Sequence, residues 1–385
     1  MTDPLHIAFL HQDFPFSGAE QVTLSVANEL SRNGLEVTIL TPHHHEEAYP
    51  AGSQRLFRVV TLPEGNVKKS RQVADALCRI IRQESIGVLI TYRQITYATP
   101  LKQQTGVKIV YELHNTPYYE CLDIADKRRE SFWANIFYGC GIERLLLSAY
   151  RAKYRRIYAW CDAFGLLCES YRQMLLHEVL GHPAEDKTWV LPNPIEPPER
   201  VEGEKEKLIV YVGRLSHRDK RVDRLLRIWQ LAQEQLPQWR LEIIGNGKAA
   251  PKLKQQAVQL GLKNIHFAGY TNQVQRFYDR ASILCLTSSF EGWPMCVAEA
   301  QANGVVPVLF NSFAGATDLV GNADEGVLVK PYDEQLFAQR LVHLATNESL
   351  LHHMQQAVRA KSLTYSAGRS AQAWMEMFSQ WQKSR

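Results

Sequence analysis

Apolar residues in this chain fall into two alternating patterns. Short unbroken runs predict buried strands: His6-Ile7-Ala8-Phe9-Leu10, Val37-Thr38-Ile39-Leu40, Leu56 to Leu62, Gly87 to Tyr92, Lys108 to Leu113 and Asp162 to Cys168. Between them lie stretches with apolar residues three or four positions apart, which predict helices. These carry Val22, Val26 and Leu30 before a stop at Asn33-Gly34, then Val73, Leu77, Ile80 and Ile81, then helical material around Ala98 to Gln104 and a helix from Glu169-Ser170 to Leu180-Gly181. Strands alternating with helices predict a parallel sheet covered on both faces.

The alternation stops and restarts. Trp189 to Ile195 closes the first set, and Glu196 to Lys207, rich in proline and charge, reads as a linker. Leu208 to Val212 opens a second set, with further strands at Leu241 to Ile244, Ile265 to Gly269, Ile283 to Leu286 and Val305 to Leu309. A helix after Arg221 carries Val222, Leu225, Leu226, Trp229 and Ala232 on one face. Trp374, Met377, Phe378 and Trp381, spaced i, i+3, i+4, i+7, predict a last helix. The fold class is α/β with two Rossmann-like domains, and 385 residues suffice to give each a core.

One region departs from both patterns. From Asp126 to Tyr158 the chain is basic and aromatic, with Lys127, Arg128, Arg129, Arg144, Arg151, Lys153, Arg155 and Arg156 among Phe132, Trp133, Phe137, Tyr138, Tyr150, Tyr154 and Tyr158. As a helix it would turn Leu145, Leu146, Ala149, Ala152 and Ile157 inward. Such a segment suits either a helix packed in its domain with its arginines in water or peripheral contact with an anionic bilayer.

Composition narrows the class further. An apolar content of 45% with 22% charged residues is that of a globular protein, and a net charge of +4 without a binding motif gives no case for nucleic acid. The start, Met1-Thr2-Asp3-Pro4, lacks the basic opening and long apolar core of a signal peptide, and no run approaches a membrane span. Seven scattered cysteines without a Cys-x-x-Cys pair imply neither zinc nor a disulfide framework. A cytoplasmic location is expected.

The candidate chemistry sits where strands end. The stretch Ser289 to Ala300 follows the strand Ile283 to Leu286; Gly292 and Pro294 punctuate a loop, and a helix begins at Met295. A strand, tight loop and helix N-terminus present backbone N–H groups that suit a phosphate. Glu291 lies in the loop and Glu299 about two turns down the helix, where each alone would read as a capping or solvated glutamate. Gly18 opens a similar strand-loop-helix after Leu10, and Arg214 and Lys220 flank the loop after Val212, where two cations could meet a diphosphate. His114 directly follows the Lys108 to Leu113 strand, at the carboxyl end where open α/β sheets bind ligands. Three consecutive histidines, His43 to His45, cannot converge on one metal ion from an extended chain and read as a solvated loop. No metal site is expected.

Glu291, Gly292, Pro294 and a second glutamate at Glu299, together with Gly213-Arg214 followed by Lys220, resemble the donor-site signature of the retaining family 4 glycosyltransferases of glycosyltransferase-B fold. The resemblance spans nearly the whole chain, with its motifs in the family's order. It implies two Rossmann-like domains facing a central cleft, with a C-terminal helix crossing back to the first domain. Residues 1–195 would bind the acceptor, 196–365 the nucleotide-sugar donor, and 366–385 would be the crossing helix. Arg214 and Lys220 would hold the donor diphosphate, Glu299 the ribose hydroxyls and Glu291 the transferred sugar. The amides from Gly292 through Trp293 and Pro294 to Met295 would meet sugar and phosphate, and His114 and the Gly18 loop would complete the site.

Three positions depart from the family's pattern. Ser17 stands for the first glycine of a pair, Arg221 for a glycine after the lysine, and Asp318, near Gly315, for a glutamate. They touch loop geometry more than charge.

The implied reaction is retaining, metal-independent transfer of a hexosyl unit from a nucleotide sugar, foremost a UDP-sugar, to a hydroxyl of a glycan or lipid-linked acceptor. Cell-surface polysaccharide or lipopolysaccharide assembly is the expected context, and no cofactor is expected. Glu291 and Lys220 are expected to face a solvent-filled cleft, so that alanine at either should reduce transfer and leave the fold intact. Two alternatives stand beside this reading: a nucleotide-sugar epimerase of the same fold, which would need an acid and base pair, and a catalytically silent nucleotide- or glycan-binding protein, in which the donor residues would have decayed.

Overall fold

In a computed structural model the described residues are 4–15, 18–49, 54–117, 142–181, 183, 186–196, 198 and 204–383. The chain divides into two units. One is built on the residues up to Pro117, Leu147–Pro194 and Ala367–Arg385, the other on Ile195–Ser366 together with 142–146.

The strands of the first unit are β1 (His6–Leu10), β2 (Asp13–Phe14), β3 (Glu36–Thr41), β4 (His43–His44), β5 (Arg58–Thr61), β6 (Val88–Thr91), β7 (Lys108–Leu113), β8 (Ala163–Leu166) and β9 (Thr188–Val190). All but β2 and β4 form one sheet in the order β5-β3-β1-β6-β7-β8-β9. Every pairing in it is parallel. Its helices are α1 (Gly18–Arg32), α2 (Arg71–Gln83), α3 (Ala98–Thr105), α4 (Ile142–Trp160) and α5 (Glu169–Met174).

The second unit holds β10 (Leu208–Val212), β11 (Arg240–Ile244), β12 (Ile265–Gly269), β13 (Ile283–Leu286), β14 (Val306–Phe310) and β15 (Val327–Val329). They form a parallel sheet ordered β12-β11-β10-β13-β14-β15. Its helices are α6 (Val222–Ala232), α7 (Ala250–Gln259), α8 (Gln275–Arg280), α9 (Met295–Ala302), α10 (Ala316–Leu319), α11 (Glu334–Thr346) and α12 (Glu348–Ser362), and α13 (Ala367–Lys383) returns to the first unit.

Both sheets follow the doubly wound rule. Counting main-sheet strands in chain order, each runs 3-2-1-4-5-6, with one further strand on the first. The winding reverses between β1 and β6 in the first sheet and between β10 and β13 in the second. At such a switch point the loops leaving the two strands diverge, and the gap outside their carboxyl ends is where this fold binds ligands.

The apolar runs became strands because they are buried on both faces: every residue of β1, β6, β8, β13 and β14 is buried. The stripe on α6 buries as spaced, with Val222, Leu225, Leu226, Trp229 and Ala232 all inside. On α13, Trp374, Met377 and Phe378 are buried, Trp374 lies edge-on to Phe9 of β1 at 6.0 Å, and Ser370 Oγ donates to the Pro192 carbonyl. The last helix therefore packs on the first unit.

Two expectations are corrected. On α4 the buried side chains are Tyr154, Ile157 and Tyr158, while Ala149 and Ala152 are exposed and Leu145 is 71% exposed. Tyrosines won the inward face because their rings fill space against Phe164 of β8 while a polar end finds a partner: Tyr158 Oη accepts from the Lys187 amide. The basic segment before residue 142, with Lys127, Arg128 and Arg129, lies outside the described residues. His43 and His44 are not a solvated loop but strand β4, paired with β2, and His43 bridges Asp13 Oδ1 at 2.9 Å and Glu64 Oε2 at 3.0 Å.

Candidate active site

The switch point of the second sheet gathers most of the expected residues. The loop leaving β10 runs Gly213 to Arg221, and the loop leaving β13 runs Thr287 to Pro294. Two hydrogen bonds lace them, the Ser289 amide to the Asp219 carbonyl at 2.8 Å and Thr287 Oγ1 to the Arg221 carbonyl at 3.0 Å, and from α6 Arg224 Nη1 donates to Ser289 Oγ at 3.0 Å. Tyr211 Oη, at the end of β10, donates to the Arg214 carbonyl. Gly245 lets this loop sit low. Its φ of +134° disfavours any side chain, and a Cβ there would stand 1.9 Å from the Gly213 oxygen.

Across the laced loops, Lys220 Nζ donates to both carboxylate oxygens of Glu291, at 2.7 and 2.8 Å, and Ser288 Oγ donates to Glu291 Oε1 at 2.6 Å. The side chains are 18% and 7% exposed. This corrects the expectation of two groups in open solvent. They are a nearly buried ion pair, so each is needed to keep the other's charge compensated. Burial disfavours the Lys220 ammonium, but the Glu291 carboxylate beside it outweighs that and leaves its pKa raised.

Arg214 differs. Its side chain is 69% exposed, and it donates to Asp219 Oδ2 at 2.6 Å. Burial pushes against the Asp219 carboxylate, yet hydrogen bonds from Ser216 and Arg214 hold its pKa below the ordinary value. Arg221 occupies the left-handed region at φ +48°, which is the physical content of the family's glycine at this place. The arginine holds that backbone by pairing with Asp223 through Nε and Nη2, at 3.0 and 2.9 Å.

α9 starts at Met295 with Pro294 as N-cap, which offers no side-chain cap. Gly292, Trp293 and Pro294 form the turn before it, and Trp293 packs edge-on to Tyr365 at 5.3 Å. Among the described residues its buried indole N–H has no hydrogen-bond partner, nor does the buried Asp318 Oδ2 on α10. Glu299 is half-buried on the second turn of α9 and accepts from Tyr278 Oη at 2.9 Å; burial pushes its carboxyl pKa up. Burial also pushes the Cys296 thiol up to about 12, so it is no nucleophile near neutrality.

The first sheet carries a different set. His114 Nε2 lies 3.3 Å from Glu112 Oε2, an ion-pair contact and not a directed hydrogen bond. Beside it, Tyr92 Oη donates to Glu20 Oε1 at 2.7 Å, and His11 Nδ1 lies 3.9 Å from the same oxygen. His11 follows β1, Tyr92 follows β6 and Glu20 is in the first turn of α1, so this cluster stands at the first switch point, with His114 one strand along. The two histidines are shifted oppositely. Burial lowers His11, whereas at His114 burial is outweighed by Glu112 and Glu20, and its pKa is raised. Gly18 is the first residue of α1 and no longer part of the loop; a Cβ on it would meet nothing within 4 Å.

Sequence reasoning missed Asp219, Ser288, Tyr278, His11, Glu20, Tyr92 and Glu112. Glu112 could have been found, because alternate residues of a strand share a face and place it beside His114. Nothing in the sequence pairs Tyr278 with Glu299.

The fold is that of the glycosyltransferase-B enzymes. The lipopolysaccharide outer core galactosyltransferase WaaB superposes with a TM-score of 0.67 at 18% identity, covering 97% of this chain and 99% of that one. Anabaena Alr3699/HepE, determined with UDP, superposes at 0.74 with 16% identity, covering 98% and 100%. In sequence, residues 193–361 match the family model for glycosyl transferases group 1 and residues 16–199 that for glycosyltransferase family 4. The chain belongs to glycosyltransferase family 4 and is a glycosyltransferase. Among its relatives, an uncharacterized glycosyltransferase of Haemophilus influenzae is 24% identical over 93% of this chain and 95% of its own length. A Campylobacter jejuni α-1,4-N-acetyl-D-galactosaminyltransferase acting on an undecaprenol-linked glycan is 23% identical over 98% and 99%.

Proposed function

We propose that this protein moves a sugar from a UDP-sugar to a hydroxyl of a lipid-linked or polysaccharide acceptor, with retention and without a metal, in lipopolysaccharide or surface-polysaccharide assembly. The observation that carries the reading is the laced switch point of the second sheet, where Arg214, Lys220, Glu291 and the start of α9 stand together within one rigid pair of loops. Support for the donor and acceptor classes comes from the relatives: HepE was determined with UDP, and the Campylobacter jejuni enzyme extends a glycan on undecaprenol.

In this reading the diphosphate binds at Arg214, Lys220 and the first turn of α9, whose N–H groups and dipole favour an anion. Lys220 adds phosphate oxygens to its contact with Glu291, and Glu291 accepts from hydroxyls of the transferred sugar. As the bond between the anomeric carbon and the phosphate oxygen breaks, the two cations and the helix terminus stabilise the charge on the leaving diphosphate. The acceptor oxygen bonds to the anomeric carbon from the same face, its proton passing to the departing phosphate oxygen. No covalent nucleophile is needed, and the neutralisation a metal would supply comes from Arg214 and Lys220. His114 is assigned to the donor sugar by the family resemblance alone. The basic stretch 126–158 holds the enzyme at an anionic bilayer; in its described part Arg144, Arg155 and Arg156 are exposed on α4. No described helix is long and apolar enough to cross a membrane.

Thermal melts with UDP, GDP and ADP, each with and without EDTA, test the donor reading. A ligand that binds only the native state raises the melting temperature, by an amount equivalent to about 2.7 kcal/mol at a hundredfold excess over Kd. UDP is expected to give the largest shift, unchanged by EDTA. A shift abolished by EDTA would overturn metal independence, and no shift with any nucleotide would turn the assignment toward a glycan-binding protein. Flotation with anionic vesicles, for the native chain and for a variant lacking Lys127, Arg128 and Arg129, tests the membrane contact, which fails if the native chain does not float.

A further inference from the structure

Tyr278 is almost fully buried on α8, 21 residues before Glu299, and is held at both ends. Its backbone carbonyl accepts from Lys205 Nζ at 2.6 Å. Its hydroxyl donates to Glu299 Oε2 at 2.9 Å and stands 3.4 Å from the Cys296 carbonyl, so it spans the first two turns of α9. Among the described residues, Glu299 Oε1 accepts no hydrogen bond. One carboxylate oxygen is therefore fixed by the phenol while the other remains available as an acceptor.

The arrangement is costly unless it has a use. A glutamate on a half-buried helical position keeps three side-chain torsions, and burial opposes its charge. A single buried hydroxyl removes that freedom and favours the ionised form, which is the form that accepts from two directions. Burial keeps the Tyr278 phenol protonated far above neutrality, so it remains a donor. An apolar ring would fill the same space but leave the carboxylate free to turn.

We propose that Tyr278 is a positioning residue for nucleotide recognition: it locks Glu299 so that Oε1 meets a ribose hydroxyl of the donor, and it thereby sets the preference for ribonucleotides over deoxyribonucleotides. The inference rests on the reading of Glu299 as the ribose contact. Tyr278 touches no ligand and acts only through the carboxylate it holds.

The test needs neither the sugar nor the acceptor. Binding of UDP, GDP and ADP and of their 2′-deoxy and 3′-deoxy counterparts is measured by calorimetry for the native protein, Tyr278→Phe, Glu299→Ala and the double variant. A hydrogen bond to a charged group is worth about 1.5–3 kcal/mol, so the native protein should bind its ribonucleotide roughly ten- to a hundredfold more tightly than at least one deoxy form. Glu299→Ala should abolish that ratio. Tyr278→Phe, which keeps the ring, should lower it to within about threefold of unity, with deoxynucleotide affinity unchanged. In the Glu299→Ala background it should add nothing, which separates positioning from a general loss of structure. A native ratio in Tyr278→Phe, with the ratio lost in Glu299→Ala, overturns the inference and leaves the ribose reading standing. A native protein indifferent to deoxygenation, or a Glu299→Ala variant that still discriminates, overturns the ribose reading itself.

Discussion

The two switch points share a topology and differ in chemistry. In the second sheet, opposite charges are paired at the switch point: Lys220 with Glu291 across the two loops, and Arg214 with Asp219 and Arg221 with Asp223 locally on the β10 side. In the first, two histidines, two glutamates and a tyrosine are packed between strand ends, with His114 and Glu112 only 14% and 7% exposed. A loop-borne set of Arg and Lys cations keeps its charge through the neutral pH range. A buried imidazole cluster holds a proton whose presence depends on its neighbours. The same backbone thus carries ion-paired loops in one unit and a titratable strand end in the other.

Breaking the Lys220–Glu291 pair should have the largest effect. Alanine at either leaves the other charge nearly buried and uncompensated, costing about 3–5 kcal/mol of stability. Urea unfolding would register this, and nucleotide binding would fall with it. Lys220→Met combined with Glu291→Leu should recover most of the stability and none of the binding. A single alanine variant as stable as the native protein would show that the pair is not closed in solution and would erase this side of the comparison.

The opposite shifts of His11 and His114 give the middle effect. His114 is raised, so its contribution to stability is complete below the unfolded value of about 6.5 and is lost as pH rises through its folded value. His11 is lowered, so its contribution is present above about 6.5 and lost as pH falls through its folded value. The groups facing them are Glu20 from α1, Tyr92 after β6 and Glu112 on β7. Imidazole proton NMR should find the two rings titrating on opposite sides of the free value, and Glu112→Gln should bring His114 down. If the rings titrate together, the first switch point is not the polarised cluster described.

Arg214→Ala should be smallest in stability and still visible in function. Its exposed pair with Asp219 is worth less than about 1 kcal/mol to the fold, while the affinity for UDP measured by calorimetry should fall about tenfold, which corresponds to about 1.4 kcal/mol. A large loss of stability instead would place Arg214 with the structural ion pairs and not with the proposed diphosphate contacts.

Local pattern made much of this protein legible. β1, β7, β10, β12 and β13 span the residues that their runs marked; in β1, β10 and β13 this follows from burial on both faces, whereas β12 is a partly exposed edge strand. Gly213, Arg214, Lys220 and Glu291 lie in short contiguous loops and Glu299 on the helix after the second, so the resemblance to the family's motif could single them out from sequence. α4 was misread because its spacing supports two faces, and only contact with Phe164 favours the tyrosines. Gly245 was visible as a glycine turn, but the reason for the glycine, the Gly213 carbonyl against it, lies on the neighbouring strand.

The sequence by itself determined the elements, their alternation, the two-domain plan and the identity of the residues at the ends of β7, β10 and β13, since these follow from periodicity and from motifs within a few residues. Only the tertiary structure decided which charges meet. Lys220 finds Glu291 across 71 positions, Tyr92 finds Glu20 across 72, and Tyr278 finds Glu299 across 21. Such pairs are brought together by strand order in the sheet. The burial that makes each pair strong is a property of the packed loops, which no local stretch of chain encodes.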